Sequence, residues 1–440
     1  MSIFFWLILV VAVIVLMTVR WKVHPFLALL FGAIAIGFLA GLDAALLIGS
    51  IGEGFGATLR SIGIVIAAGA IIGEYLDRSG GAKMLANQIL KVVGEKNAPL
   101  SMGLTGYVVS IPVFCDSGFI VLSSLSRAIG KRTKISLAVL AVALASGLYA
   151  THVFVPPTPG PLAAAATLDA NVGWVLILGL IVSVPVMIAA LVWAITFCKR
   201  YDIQFDLKEE DEKMVSNPPS FGIAISPILI PILLIALRSI AEYPTFPFGE
   251  GVILTALLFL GDPIIALLVG VMLAFGMVRG GRNRIQSEWI EEALKKAGII
   301  ILITGAGGAF GAVLRETDLG DFAAQFANIE GTGILVPFLI AAFLKSAQGS
   351  STVAIITAAA ITAPLVAPLG LESTLGKALT VLALGAGSLT ISHVNDSYFW
   401  VVAKFSNMDT VTALKTHTMA TLIMGLTGLL TLQVMVWILL

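Results

Sequence analysis

Long apolar stretches constrain this chain more than any other feature of its sequence. They recur along all 440 residues, so that 58% of the residues are apolar and only 12% are charged. A helix needs about 20 apolar residues to cross the hydrocarbon core of a membrane, and these stretches do not alternate as barrel strands do. The sequence therefore predicts an all-α integral membrane protein. It excludes a soluble globule, and equal numbers of basic and acidic residues, 26 each, exclude a basic nucleic-acid-binding protein.

Ten stretches are predicted to cross the membrane, at roughly 3–19, 25–42, 61–77, 135–152, 172–197, 222–240, 251–278, 297–314, 376–392 and 414–438. Two further apolar stretches, 98–127 and 333–363, have polar centres and halves too short to span. Non-helical backbone at membrane depth is tolerated only inside protein or beside a wet cavity, so both are predicted to be re-entrant hairpins. If each hairpin returns to the side of the membrane from which it enters, the Lys and Arg clusters all lie on one face. The positive-inside rule makes that face cytoplasmic, so both termini are predicted to lie outside.

Two glycine-bearing segments indicate an internal repeat. Residues 61–80 and 298–317 align at an offset that pairs Gly69 with Gly307, and a hairpin and then a polar break follow each segment. The sequence predicts two inverted repeats, each with about five transmembrane helices, one re-entrant hairpin and broken helices at the midplane. Such repeats are typical of secondary transporters. The predicted units are a first repeat, a cytoplasmic linker and a second repeat, at 1–200, 201–220 and 221–440.

Polar residues at the hairpin tips and at the two later breaks are candidates for a binding site. An acidic side chain within the bilayer is costly and points to function, and hydroxyl and amide groups can bind a carboxylate or sugar hydroxyls. The candidates for substrate binding are Ser117, Thr151, His152, Gln348, Ser350, Ser351, Thr352, Asn395 and Ser397. The candidates for proton coupling are Asp116, His393 and Asp396. An ion pair between Asp116 and Lys345 is an alternative interpretation of those two residues.

The sequence contains no motif of an enzyme or of an ATP-driven pump. There is no HExxH, no GxSxG and no GxxxxGK[ST] segment, which removes the common zinc-hydrolase, serine-hydrolase and nucleotide-binding signatures. The two cysteines have no partner spacing and are predicted to be free thiols. We therefore expect neither catalysis nor a metal or other cofactor, and the energy source is expected to be an ion gradient.

Five segments together resemble one known family. They are GAIIGEYLDRSGGA (69–82), FCDSGF (114–119), THVFVPPTPGP (151–161), KSAQGSSTVA (345–354) and SHVNDSYFW (392–400). In this order they resemble the gluconate permease family of bacterial proton symporters, within the ion-transporter superfamily. The resemblance implies proton-coupled uptake of gluconate or a related sugar acid across the bacterial inner membrane. The implied partners are a small anionic hydroxy-acid substrate, protons and the lipid bilayer.

Two departures from the family pattern bear on the substrate. This chain has Tyr398 where the family has glycine, and Asp116-Ser117 where sugar-acid members tend to have glutamate and an apolar residue. Both changes make a smaller acid such as D-glycerate a competitor for gluconate. A sodium-coupled carboxylate transporter and a passive anion channel remain alternatives, and the apolar outer spans are compatible with a homodimer.

Overall fold

A computed structural model describes residues 3–203, 218–241, 251–278, 283–317, 333–394 and 396–440. These residues form helices joined by short connections. The helices are α1 (Ile3–Val19), α2 (Pro25–Leu39), α3 (Ala44–Arg78), α4 (Gly81–Val93), α5 (Ala98–Val109), α6 (Cys115–Thr133), α7 (Leu137–Phe154), α8 (Pro159–Thr167), α9 (Val172–Thr196), α10 (Phe221–Ala241), α11 (Val252–Leu260), α12 (Pro263–Phe275), α13 (Asn283–Arg315), α14 (Leu335–Gln348), α15 (Ser351–Thr362), α16 (Thr374–Leu389), α17 (Ser397–Phe405), α18 (Thr410–Ala413) and α19 (Met419–Leu439).

The predicted all-helical membrane architecture is confirmed. In the described ranges, five helical segments are long and apolar enough to cross a membrane, and two bent pairs raise that number to seven. One bent pair is α11 and α12, which meet at 69° where Asp262 caps α12. The other three predicted crossings correspond to the shorter apolar helices α1, α2 and α16.

Each predicted hairpin consists of two helices separated by a short non-helical tip. Residues 110–114 separate α5 from α6, and residues 349–350 separate α14 from α15. In both halves the chain then continues with a buried helix (α7, α16), a break, a short helix (α8, α17) and a long helix (α9, α19). The opposite orientation of the two halves stays a prediction, and most of the predicted linker, 204–217, lies outside the described residues.

The helix α7 forms the centre of the protein. Every residue from Leu137 to Phe154 is buried, and α7 packs against α5 and α9. The hydroxyls of Ser146 and Thr151 are satisfied within the helix, and that of Ser146 donates to the carbonyl oxygen of Val142 at 2.6 Å. The outer helices instead expose large apolar side chains such as Trp437, which suit contact with lipid because hydrocarbon tails are as apolar as leucine.

The long helices α3 and α13 contact each other directly. A methyl group on Gly54 would lie 2.6 Å from the carbonyl oxygen of Gly308, and one on Gly308 would lie 2.7 Å from that of Gly54. Small residues are therefore required for the two backbones to approach this closely. Further along the same pair of helices, the buried Glu74 contacts Lys296 at 2.6 Å and also pairs with Arg78. The two glycine-bearing helices α3 and α13, which contain the segments predicted to correspond in the two repeats, thus pack against each other.

Candidate functional site

The tip of the first hairpin is held against α3 and ends at the N-terminus of α6. The hydroxyl of Ser110 donates to the carbonyl oxygen of Val113 at 2.9 Å, which closes the tip on itself. Gly73 of α3 lies against it, and a methyl group there would be 2.5 Å from the carbonyl oxygen of Pro112. Asp116 follows in the first turn of α6.

The tip of the second hairpin is a glycine turn followed by a capped helix. Gly349 ends α14 with φ of +77°, a left-handed conformation that favours glycine, and its N–H donates to the carbonyl oxygen of Lys345 at 2.9 Å. Ser350 then caps α15, and its hydroxyl oxygen accepts from the N–H of Val353 at 3.4 Å. Ser351 and Thr352 form the first turn of α15.

The break before α17 supplies a third helix N-terminus. Asp396 caps α17, with its Oδ1 accepting from the N–H of Tyr398 at 3.0 Å. The non-helical segment leading to it is held by α19 and the turn before α19. The N–H of Ser392 donates to the hydroxyl of Thr421 at 3.0 Å, and the hydroxyl of Thr418 donates to the carbonyl oxygen of Ser392.

A cavity of about 190 Å³ lies where these three helix N-termini meet. The first turns of α6, α15 and α17 line it, together with apolar residues of α13. The N–H groups of a first turn have no partner within the helix, and the helix dipole adds a positive partial charge there. Three N-termini facing one cavity therefore favour an anion. The predicted site residues on its wall are Asp116, His152, Ser350, Ser351, Thr352, Asp396 and Ser397.

Asp396 of the cavity wall forms a buried ion pair with Lys345. The ammonium of Lys345 lies 2.5 Å from Oδ2 of Asp396, and the two side chains are 1% and 3% exposed. Lys345 also donates to the carbonyl oxygen of Gly349 at 3.3 Å and lies over the ring of Tyr149, 5.7 Å from its centroid. The hydroxyl of Ser392 is a further donor to Oδ2 of Asp396. The alternative that paired Lys345 with Asp116 is therefore wrong, because α14 and the break before α17 bring Lys345 to Asp396 instead.

Asp116 and His152 differ from the ion pair because each has a buried polar atom without a partner among the described residues. Oδ1 of Asp116 and Nδ1 of His152 are buried and have no hydrogen-bond partner in the described part of the chain. The thiol of Cys115, 3.9 Å from Oδ2, is the donor to the other oxygen of Asp116. Buried polar atoms are nearly always paired, so these two atoms are available to a ligand, a water molecule or a proton.

Four predicted site residues lie away from the cavity wall. The hydroxyl of Thr151 donates within α7 to the carbonyl oxygen of Gly147 at 3.3 Å. Nε2 of His393 lies 3.1 Å from the carbonyl oxygen of Ser346. Ser117, after the tip of the first hairpin, and Gln348, before the tip of the second, do not line the cavity. A further predicted residue, Asn395, lies outside the described residues.

Sequence reasoning missed two residues that shape the site. Tyr149 provides the ring beneath the Lys345 ammonium, and Ser392 provides a hydroxyl to Asp396. Tyr149 looks like ordinary core in an apolar helix, so no sequence signal marks it. Ser392 belongs to the polar segment SHVNDS, in which the sequence does not distinguish it from the other hydroxyl residue. Tyr398, which stands where the family has glycine, lines the cavity. Its hydroxyl donates to the carbonyl oxygen of Ala145 at 3.1 Å.

The fold and the site define a class of protein, namely a multi-pass helical membrane protein with broken helices around a small polar cavity. Comparison with known families makes the assignment specific. The family model described as GntP family permease matches residues 1–439. The chain therefore belongs to the GntP permease family, which confirms the resemblance drawn from the five sequence segments.

Individual relatives match along nearly their whole length. The chain is 35% identical to a gluconate permease of Pseudomonas aeruginosa over 432 residues, covering 96% of this chain and 95% of that protein. It is 34% identical over 444 residues to the inner membrane permease YgbN of Escherichia coli K12, again covering 96% and 95%. Among solved structures, the YdaH transporter of Alcanivorax borkumensis has a TM-score of 0.64 at 16% identity and covers 94% of this chain and 98% of that chain. This last likeness concerns the fold alone.

Proposed function

We propose that this protein takes up gluconate, or a related small sugar acid such as D-glycerate, by proton symport across the bacterial inner membrane. The observation that carries the proposal is the convergence of the N-termini of α6, α15 and α17 on one cavity. Membership of a permease family and similarity to a gluconate permease support the same conclusion.

The carboxylate of the substrate is assigned to the first turn of α15. Ser350, Ser351 and Thr352 offer hydroxyl groups beside the free N–H groups of that turn, and such charge-assisted hydrogen bonds are stronger than neutral ones. Ser397 and His152, on other walls of the cavity, are assigned to the substrate hydroxyls. Asn395 is retained as a predicted hydroxyl contact. Thr151 is assigned no contact, because its hydroxyl is used within α7.

The cavity volume bears on the size of the substrate. At about 190 Å³ the cavity is smaller than the roughly 300–1,000 Å³ that is usual for small-molecule sites. The volume therefore favours a small acid. Because the ring of Tyr398 already forms part of the wall, D-glycerate is kept as the second candidate substrate.

Coupling to protons requires a titratable group beside the substrate anion. Asp116 and Asp396 both line the cavity, and His393 lies next to the second hairpin through its contact with Ser346. A proton on a carboxyl group removes a negative charge beside the substrate, so proton and substrate favour each other's binding. Movement of the hairpin-bearing core against the outer helices then gives alternating access.

The test is uptake of radiolabelled gluconate by proteoliposomes under an inward proton gradient. We expect accumulation that a protonophore abolishes, and competition by unlabelled gluconate, D-glycerate and D-serine that ranks the substrates. The variant Ser351→Ala is expected to weaken uptake several-fold. The matched control is Ser373→Ala, because Ser373 caps α16 through the N–H of Gly376 and does not line the cavity.

Two other outcomes identify the alternatives. Accumulation that needs a sodium gradient at fixed pH identifies a sodium-coupled carboxylate transporter. Equilibration of gluconate without accumulation under any gradient identifies a passive anion channel. Absence of uptake and of competition by all three acids rejects the sugar-acid assignment.

A further inference from the structure

The two carboxylates of the cavity have different surroundings. Asp396 is paired with Lys345, and its two oxygens also accept from the hydroxyl of Ser392 and the N–H of Tyr398. Asp116 has no ion-pair partner within the described residues, and its buried Oδ1 has no donor. A buried carboxylate that faces a cation and further donors is stabilised as the anion, whereas one with an unpaired oxygen gains by holding a proton.

The charges around the cavity can be counted. Lys345 and Asp396 cancel each other, which leaves Asp116 as the uncompensated acidic side chain on the described wall. The other titratable groups around Asp116 are Cys115, Tyr149, His152 and Tyr398, and His417 lies near the pair formed by Lys345 and Asp396. Thiols and phenols are neutral near pH 7. His152 and His417 each bury a ring nitrogen without a partner among the described residues, and a buried cation without a partner is costly, so we count both as neutral.

We propose, as an extension that rests on the proposed function, that Asp116 alone binds the coupling proton while Lys345 and Asp396 remain paired, so that one proton crosses with one substrate monoanion and transport is electroneutral. An ionised Asp116 on the cavity wall repels the substrate carboxylate, and at an effective dielectric constant of about 20 any two like charges about 7 Å apart weaken binding on the order of fiftyfold. A proton on Asp116 removes that repulsion. The loaded site (Asp116 protonated, substrate anionic) then has the same net charge as the empty site with Asp116 ionised.

The charge count also defines the substrate class as monoanionic. A sugar acid with carboxylates at both ends brings a second negative charge, and the described wall has no unpaired cation to compensate it. We therefore expect glucarate, which matches gluconate in carbon number but carries two carboxylates, to compete at least tenfold more weakly than gluconate. Equal competition by glucarate and gluconate contradicts the charge count.

The decisive experiment separates the two components of the proton-motive force in proteoliposomes that contain the full chain. With potassium and valinomycin clamping the membrane potential at zero, an inward pH gradient is expected to drive gluconate accumulation. An inside-negative potential at equal pH is expected to drive none. Accumulation driven by the potential alone overturns electroneutral transport but leaves the symporter intact. Absence of gradient-driven uptake of both gluconate and D-glycerate refutes the proposed function instead.

Substitution of Asp116 tests the assignment of the proton. In the wild type, gluconate affinity followed by tryptophan fluorescence is expected to fall at least tenfold between pH 6 and pH 8. In Asp116→Asn it is expected to change less than twofold, with exchange retained and uphill uptake lost. The control is Asp169→Asn, because Asp169 is 98% exposed in its pair with Lys377. A wild-type pH dependence, or intact uphill uptake, in Asp116→Asn overturns the assignment. A thermal melt of each purified variant establishes that it is folded.

Discussion

The ion pair between Lys345 and Asp396 allows a sharp test of the packing around the site. Both side chains are almost fully buried, and their charged atoms are 2.5 Å apart. Removing one member of a buried pair leaves an uncompensated charge and costs about 3–5 kcal/mol. Lys345→Met leaves Asp396 with the donors Ser392 and Tyr398, so we expect a cost at the lower end of that range, about 3 kcal/mol.

A double-mutant cycle isolates the contribution of the pair. Asp396→Asn keeps an oxygen that can cap α17 and leaves Lys345 with the carbonyl oxygen of Gly349. In the double variant neither charge is present, so its cost is expected to be smaller than that of Lys345→Met alone. The coupling energy is therefore expected to be about 3 kcal/mol or more, at the upper end of the range for contacting residues in one network.

Thermal unfolding of the detergent-purified variants, followed by tryptophan fluorescence, gives the order of stability. The expected order is wild type, then the double variant, then the two single variants. Lys377→Met is the control, since its partner Asp169 is 98% exposed and exposed pairs contribute at most about 1 kcal/mol. A double variant whose loss equals the sum of the two single losses refutes this reasoning.

Three further substitutions follow from contacts in the structure. Gly73→Ala brings a methyl group to 2.5 Å from the carbonyl oxygen of Pro112. We therefore expect it to lower the stability by about 1–3 kcal/mol in a thermal melt and to slow uptake. The control Gly56→Ala, at a position with open space around it, is expected to do neither. Glu74→Gln weakens the contacts with Lys296 and Arg78 and is expected to cost about 1–3 kcal/mol, measured as a lower unfolding temperature at low salt. Tyr398→Ala enlarges the cavity and is expected to raise uptake of gluconate relative to D-glycerate in a competition assay, and an unchanged ratio would show that this ring does not limit substrate size.

The hairpin breaks could be predicted from the sequence because they are local. Proline, glycine and consecutive polar residues cannot continue an apolar helix at low cost, and the structure has non-helical tips at 110–114 and 349–350. The full length of α3 could not be predicted in this way. The sequence predicts a crossing that begins at residue 61, but the helix begins at Ala44, because Asp43 caps it and Gly54 packs against α13.

The partner of Lys345 could not be predicted because it depends on tertiary structure. The sequence offers Asp116 as the partner of Lys345, but the register of α14 against the break before α17 brings Lys345 to Asp396 instead. That register is set by contacts such as the one between Nε2 of His393 and the carbonyl oxygen of Ser346, which join residues 47 positions apart. The assignment of Asp116 as the proton-binding group depends on this choice, since a carboxylate paired with a buried lysine has no need of a proton.

The proposed anion site contains no unpaired basic side chain on its described wall, so a search for basic residues does not reveal it. On the described wall the cation nearest the cavity is already paired, so the attraction for a carboxylate comes from the N–H groups at the starts of α6, α15 and α17. Backbone groups survive the substitution of any one side chain. Loss of the hydroxyl of Ser350 or Ser351 should therefore weaken binding only in part. A substitution at Gly73 moves a hairpin tip and with it a whole helix N-terminus. It should impair transport more than the loss of either hydroxyl.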